Sequence, residues 1–280
     1  MSVLLLLGLM IYLNYWHALE KKYVGGYPTK TANFIGYYLL YFIPFATAFL
    51  LQLLVFKNQK YWGNGWFWFI LIIAPALFSF RVNFNFHQPL IAEIFEGKDA
   101  IFYRYSFNWI VRALVLIIPI VLIWYFKDRL HQPLYGTNGL DTIQPYFIMV
   151  LLMLPLLALA ATQPDFQEVY PKAQLLKGIN SATISGKMKY VIFELCYGFD
   201  FVSIEIFFRG FLVLSLLSIC GYQAIIPIAC FYCSIHLGSP MGEAISSFFG
   251  GLLLGIIVYN TGSIWGGLFV HLGIAWLMEL

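Results

Sequence analysis

Charge is what this chain has least of. Only 10% of its 280 residues are Asp, Glu, Lys or Arg, whereas 61% are hydrophobic. A soluble domain carries about 25% charged residues. The deficit excludes a protein wetted on all sides, because too few polar side chains exist to cover it, and it makes lipid the expected solvent. The net charge is only +3 and the basic residues are scattered, which excludes a nucleic-acid footprint. Cysteine is scarce as well. Cys196, Cys220, Cys230 and Cys233 lie in or beside apolar runs, which argues against a secreted disulfide framework. The opening stretch MSVLLLLGLMIYLNYWHALE lacks a basic leader and a small-x-small cleavage site, so it reads as a retained first span. No internal period of the kind that marks a repeat array is present.

Aromatic residues and long apolar runs are abundant. There are 27 Phe, 19 Tyr and 8 Trp, and many Tyr and Trp sit at the edges of apolar runs, where interfacial belts form. The runs are Val3–Leu19, Phe34–Phe56, Trp66–Phe80, Trp109–Phe126, Tyr146–Ala161, Val191–Cys220, Ala224–Ile235, Ala244–Tyr259 and Ile264–Leu277. A spanning helix needs about 20 apolar residues. The expectation is an all-α, polytopic membrane bundle of about eight or nine helices. The sixth run is too long for one simple span and reads as a tilted helix or an amphipathic helix feeding a span. Lys21, Lys22, Lys30, Arg81, Lys98, Arg104, Lys172, Lys177, Lys187 and Lys189 fall in odd-numbered loops, against Lys57, Lys60, Lys127 and Arg129 in even ones. The positive-inside rule then puts the odd loops in the cytoplasm and the N-terminus outside.

Charge inside the runs divides the chain near residue 180. Residues 1–180 read as transmembrane helices concerned with packing and lipid, with Arg112 the one charge inside a run. Residues 181–280 read as the chemical core, because Glu194, Asp200, Glu205, Arg209, His236, Glu243 and His271 all lie in or beside apolar sequence there. Intramembrane ionisable groups are costly to bury and point to function. Glu205 and Arg209 are four apart and share a helix face, either as a structural ion pair or as a carboxylate oriented by an arginine. Glu194 falls within about 20° of Glu205 on a continuous helix. Asp200 points elsewhere. Ser239, Pro240 and Glu243 read as N-cap, first position and first turn of a new helix after His236. Gly251-x-x-x-Gly255 predicts a close helix crossing that holds the two histidine-bearing helices together. Cys230, Cys233 and His236 have the spacing of a thiolate metal site, but buried cysteines serve more often as small hydrophobes. Two imidazoles on different helices with a carboxylate on a third suit either general-base chemistry or a divalent metal such as zinc, with His236 and His271 as ligands.

The order and spacing of these residues resemble the CAAX prenyl-protease and bacteriocin-processing membrane proteins, also called the abortive-infection family. Their pattern is Glu-Glu-x-x-x-Arg, Phe-x-x-x-His and His-x-x-x-Asn or Asp, each on its own span. IEIFFRGFL supplies Glu205 and Arg209, YCSIH supplies His236 with Tyr232 in place of Phe, and the run through TGSIWGGLFVH ends in His271. The resemblance covers about residues 188–280 and implies an intramembrane metalloprotease-like hydrolase of the cell (inner) membrane, with Glu205, Arg209, His236 and His271 as site residues. It departs at two places. Ile204 stands where the first glutamate is implied to activate water, and Ala275 stands where Asn or Asp would stabilise the oxyanion. Two readings follow. Either Glu205 takes over the base role toward a peptide or protein substrate, or proteolysis is lost and the chain serves as a scaffold for a membrane-protein partner. A transporter is the third option, disfavoured by the lack of a repeated half.

Overall fold

The computed structural model describes residues 2–27, 29–56, 60–137, 139, 142–179 and 183–279. Lys57 of the second loop and the boundary at residues 180 and 181 lie outside them. The described residues contain helices and no strand. In chain order the helices are α1 (Ser2–His17), α2 (Leu19–Tyr23), α3 (Lys30–Val55), α4 (Gly65–Asn83), α5 (His87–Ile94), α6 (Gly97–Ile123), α7 (Gln144–Ala160), α8 (Pro164–Gln167), α9 (Ile184–Glu205), α10 (Ser215–Cys220), α11 (Ile225–Ser234), α12 (Met241–Thr261) and α13 (Trp265–Leu277).

Local chemistry places the starts. Thr29 Oγ1 accepts from the Ala32 amide at 3.2 Å, Asn64 Oδ1 from the Trp66 amide at 2.8 Å, and Thr183 Oγ1 from the Gly186 amide at 3.0 Å. Each satisfies an amide that the first turn leaves free. The helix after His236 starts one residue later than expected: Pro240 is the cap residue and no side chain caps the helix. The Ser239 carbonyl is engaged instead, accepting from Tyr15 Oη at 2.6 Å.

Among the described residues, five helical stretches are long and apolar enough to cross a membrane: Lys30–Val55, Gly65–Ile94, Gly97–Asp128, Ile184–Ser234 and Met241–Thr261. The apolar helices α1, α7 and α13 are shorter. The protein is an all-α, multi-pass membrane bundle. The sixth and seventh apolar runs belong to one 51-residue stretch. It widens into a π-helix over Ile206–Leu214 and turns at Gly221, whose φ of 57° suits a residue without Cβ.

One apolar core joins the two halves of the chain. Phe45, Phe49, Phe67 and Phe78 from the first half meet Phe207, Phe208, Phe211 and Phe231 from the second. Helix α6 packs on α9, α3 on α4 and α11, and α13 on α7 and α9. Gly251 and Gly255 do make a close crossing, but with α11: a Cβ at Gly251 would lie 3.3 Å from Ala229 Cα, and one at Gly255 3.0 Å from Ile225 Cγ2. The crossing therefore joins α12 to α11 rather than α11 to the His271 helix. Gly251→Leu is expected to cost about 1–3 kcal/mol by overpacking, read as a lower melting temperature in detergent; an unchanged Tm would mean the crossing can widen freely.

Candidate functional site

Glu205 closes α9, and the backbone widens immediately after it. The carboxylate is fully buried and Arg209, one turn on, is 1% exposed. Arg209 Nη1 lies 3.5 Å from Glu205 Oε1, an ion pair by proximity rather than a short hydrogen bond. A shorter approach comes from α13: His271 Nδ1 is 2.8 Å from Glu205 Oε1. With Nδ1–H donating there, His271 Nε2 is the acceptor, and Tyr232 Oη donates to it at 3.1 Å. The Arg209 guanidinium sits 4.2 Å from the centre of the Tyr232 ring. Such a cation–π contact is worth about 2 kcal/mol when desolvated. Three helical segments thus converge on one network through Glu205, His271 and Tyr232.

His236 sits in the turn that follows α11. The N-terminal helix holds this turn, since Asn14 Nδ2 donates to the Leu237 carbonyl at 2.6 Å and Tyr15 to Ser239. The first turn of α12 folds Glu243 back, and its Oε1 lies 2.9 Å from His236 Nδ1. Tyr170 Oη donates to the other carboxylate oxygen at 3.1 Å. Burial, reinforced by the charge of Glu243, pushes the Tyr170 phenol far above its usual range, so it remains protonated and a donor. His236 Nε2 has no partner. The Tyr232 ring stands edge-on to the His236 ring at 4.9 Å and so bridges the two histidines.

Both imidazoles, Tyr232, Glu243 and Ile204 line one cavity of about 280 Å³. The first half of the chain supplies much of its polar wall. Arg81 Nη2 lies 2.6 Å from each oxygen of Asp200, Tyr37 Oη donates to Glu20, and Arg112 joins them. By sequence alone these residues read as packing. Arg112, a charge inside an apolar run, is the available signal. Arg81 falls in a loop on hydropathy alone but lies in the last turn of α4, 5% exposed.

The four expected site residues are therefore neighbours, but in two separate dyads rather than one cluster. His271 is bound to Glu205, and His236 to Glu243. Ile204, not Glu205, is at the cavity wall. Ala275 is packed among Phe102, Trp109 and Phe193. Glu194 Oε2 has no hydrogen-bond partner and Glu194 does not line the cavity, so the stripe with Glu205 is not continued. The Cys233 thiol donates to the Ala244 carbonyl at 3.2 Å, as a small packed side chain does. For a metal, His236 and His271 have the carboxylate-tethered Nδ1 atoms typical of ligands. A third donor is lacking: no group of three or more His, Cys, Asp or Glu suited to a metal is found among the described residues. The donor set does not fit a resident metal.

The last third of this helical membrane bundle gathers a buried carboxylate, an arginine and two histidines. Residues 189–277 match the family model described as type II CAAX prenyl endopeptidase Rce1-like. The similarity to that family is confined to this C-terminal segment. No curated protein matches the chain. No solved structure matches it either.

Proposed function

We propose that this protein is a peptide hydrolase of the cell membrane, working in the cavity shared by His236 and His271. One observation carries the reading: each imidazole at the cavity wall is tethered through Nδ1 to a carboxylate, at 2.9 Å for His236 and 2.8 Å for His271. That tether fixes the tautomer and orientation and stabilises an imidazolium when one forms. His236 Nε2 takes a proton from water as the water oxygen adds to the peptide carbonyl. Tyr232 turns its single hydroxyl proton from His271 Nε2, 3.1 Å away, to the developing oxyanion. His236 then returns its proton to the leaving amine, which completes the balance. Glu205 and Arg209 stand behind the wall and hold His271 and Tyr232 in place. Enclosure by helices keeps bulk water from competing with these contacts.

The alternative, a scaffold that has lost catalysis, is supported by a second observation: the wall position that the resemblance assigns to a water-activating glutamate carries Ile204. The purified protein in liposomes, given a quenched-fluorescence peptide library, separates the two. Cleavage by wild type that disappears in the double variant His236→Ala/His271→Ala supports the hydrolase. An inactive wild type that gains cleavage on Ile204→Glu assigns the scaffold role, as does an inactive wild type that co-purifies with a stoichiometric membrane partner.

A further inference from the structure

Three carboxylates line the cavity: Glu20, Asp200 and Glu243. Arg81 takes both oxygens of Asp200, and His236 and Tyr170 take one oxygen each of Glu243. Glu20 differs. Its Oε1 accepts from the Tyr37 hydroxyl, while Oε2 accepts no hydrogen bond among the described residues. An ionised carboxylate accepts at both oxygens, so Oε2 has capacity for a donor inside the cavity. The chain builds a holder for this side chain. Between α1 and α2 the backbone turns at Ala18, whose φ of 52° and ψ of 46° are unfavourable for a residue with a Cβ. Such a conformation persists only where the surroundings hold it. Asn14 does so: its Oδ1 accepts from the Glu20 amide at 3.0 Å while its Nδ2 donates to the Leu237 carbonyl at 2.6 Å. One side chain therefore ties Glu20 to the turn that carries His236. The Ser239 amide donates to the His236 carbonyl at 2.9 Å, which closes that turn around Gly238. A Cβ at Gly238 would have the Glu20 carboxyl atoms as its nearest neighbours beyond the adjoining residues, with Cδ and Oε2 both at 3.8 Å. The carboxyl group thus lies against the backbone two residues from His236.

We propose that Glu20 is a catalytic residue of this cavity, which accepts a hydrogen bond from the attacking water and takes that water's second proton. The statement rests on the hydrolase reading. Hydrolysis has two protons to place. His236 Nε2 removes one from the water as its oxygen adds to the peptide carbonyl, and gives it to the nitrogen as the C–N bond breaks. The other stays on the added oxygen, so the acyl product forms as a carboxylic acid, which must then ionise. Glu20 Oε2 accepts that proton and passes it to bulk water as the product leaves. Before the bond forms, the same oxygen holds one O–H of the water while His236 takes the other, which aims the water at the carbonyl. The other carboxylates do not serve. Both oxygens of Asp200 face the Arg81 cation, those of Glu243 are taken by His236 and Tyr170, and Glu205 is fully buried behind the wall. Glu20 lies outside the matched segment 189–277, so the first half of the chain supplies part of the catalytic machinery.

The test uses the full-length protein in liposomes with the quenched-fluorescence peptides, and melting in detergent. Glu20→Gln keeps an acceptor for Tyr37 but cannot take a proton. It is expected to lower kcat by about 10²-fold, at the low end for a positioned acid–base group, with KM within about threefold of wild type and an unchanged Tm. Ile204→Glu in the Glu20→Gln background is the second arm. Residue 204 lines the same cavity, so a carboxylate placed there is expected to restore part of the lost rate. Wild-type rates in Glu20→Gln overturn the proposal and leave the hydrolase standing. A loss of kcat that comes with a lower Tm and is not restored by Ile204→Glu makes Glu20 a brace for the His236 turn, and overturns the proposal as well. A wild type that cleaves no peptide removes the hydrolase reading and the role of Glu20 with it.

Discussion

Glu205→Ala is expected to destabilise the protein by about 3–5 kcal/mol, the usual cost of removing one partner from a buried ion pair. Most of that cost is the arginine charge left buried without its counter-ion. Arg209 is 1% exposed and makes no hydrogen bond through Nη1 or Nη2, so Glu205 is its nearest compensation besides the Tyr232 ring. His271 would at the same time lose the acceptor at 2.8 Å that fixes its tautomer. The double variant Glu205→Ala/Arg209→Met removes both charges and is expected to recover most of the loss, because buried ion pairs are often replaceable by apolar groups at little cost. Melting in detergent is the measurement. A single variant within about 1 kcal/mol of wild type would mean that water already reaches Arg209. A double variant no better than the single would mean that the bond to His271, not the ion pair, is what Glu205 contributes.

The same residues show what can be read from sequence and what cannot. Apolar runs fix where helices form, because lipid forces every backbone group to be paired within its own segment. Glu205, Arg209, His236 and His271 stand out for the related reason that each is expensive in such a run. Their partners are harder to see. Glu243 looks like an ordinary first-turn acid, and only the turn over residues 235–239 brings it back onto His236. Tyr232 looks like a substitute for Phe, yet its hydroxyl bonds to His271 while its ring packs on His236, and no Phe could make that bond. The π-helix after Glu205 is also invisible to a 100° wheel, so a regular helical stripe is a poor guide to which acids reach the cavity. The first half of the chain is the largest omission. Asn14 and Tyr15 hold the His236 turn, and Arg81 and Arg112 form the cavity wall, all through pairings more than 100 residues apart in sequence or through a shared void. Composition carries no trace of such pairings.

His236→Gln is expected to lower kcat for peptide cleavage by about 10²–10⁴-fold, the usual contribution of a positioned general base, with KM within about threefold of wild type. Glutamine fills similar space and can still reach Glu243, so the turn held by Asn14 and Tyr15 should persist and Tm should hardly move. What it cannot do is accept and return a proton. A loss in kcat without a loss in binding or stability therefore separates a chemical role from a structural one. His236→Ala provides the second arm. It opens space beside a cavity of about 280 Å³, and added imidazole is expected to restore part of the activity by occupying the vacated position next to Glu243. Glu243→Gln should then fall between wild type and His236→Gln, because the tether is retained while the charge that stabilises the imidazolium is lost. If His236→Gln cleaves as fast as wild type, the free Nε2 atom is not the base, and His271 with Glu205 becomes the pair to test. If kcat and Tm fall together and imidazole restores neither, His236 is a hinge of the turn rather than a participant in the reaction.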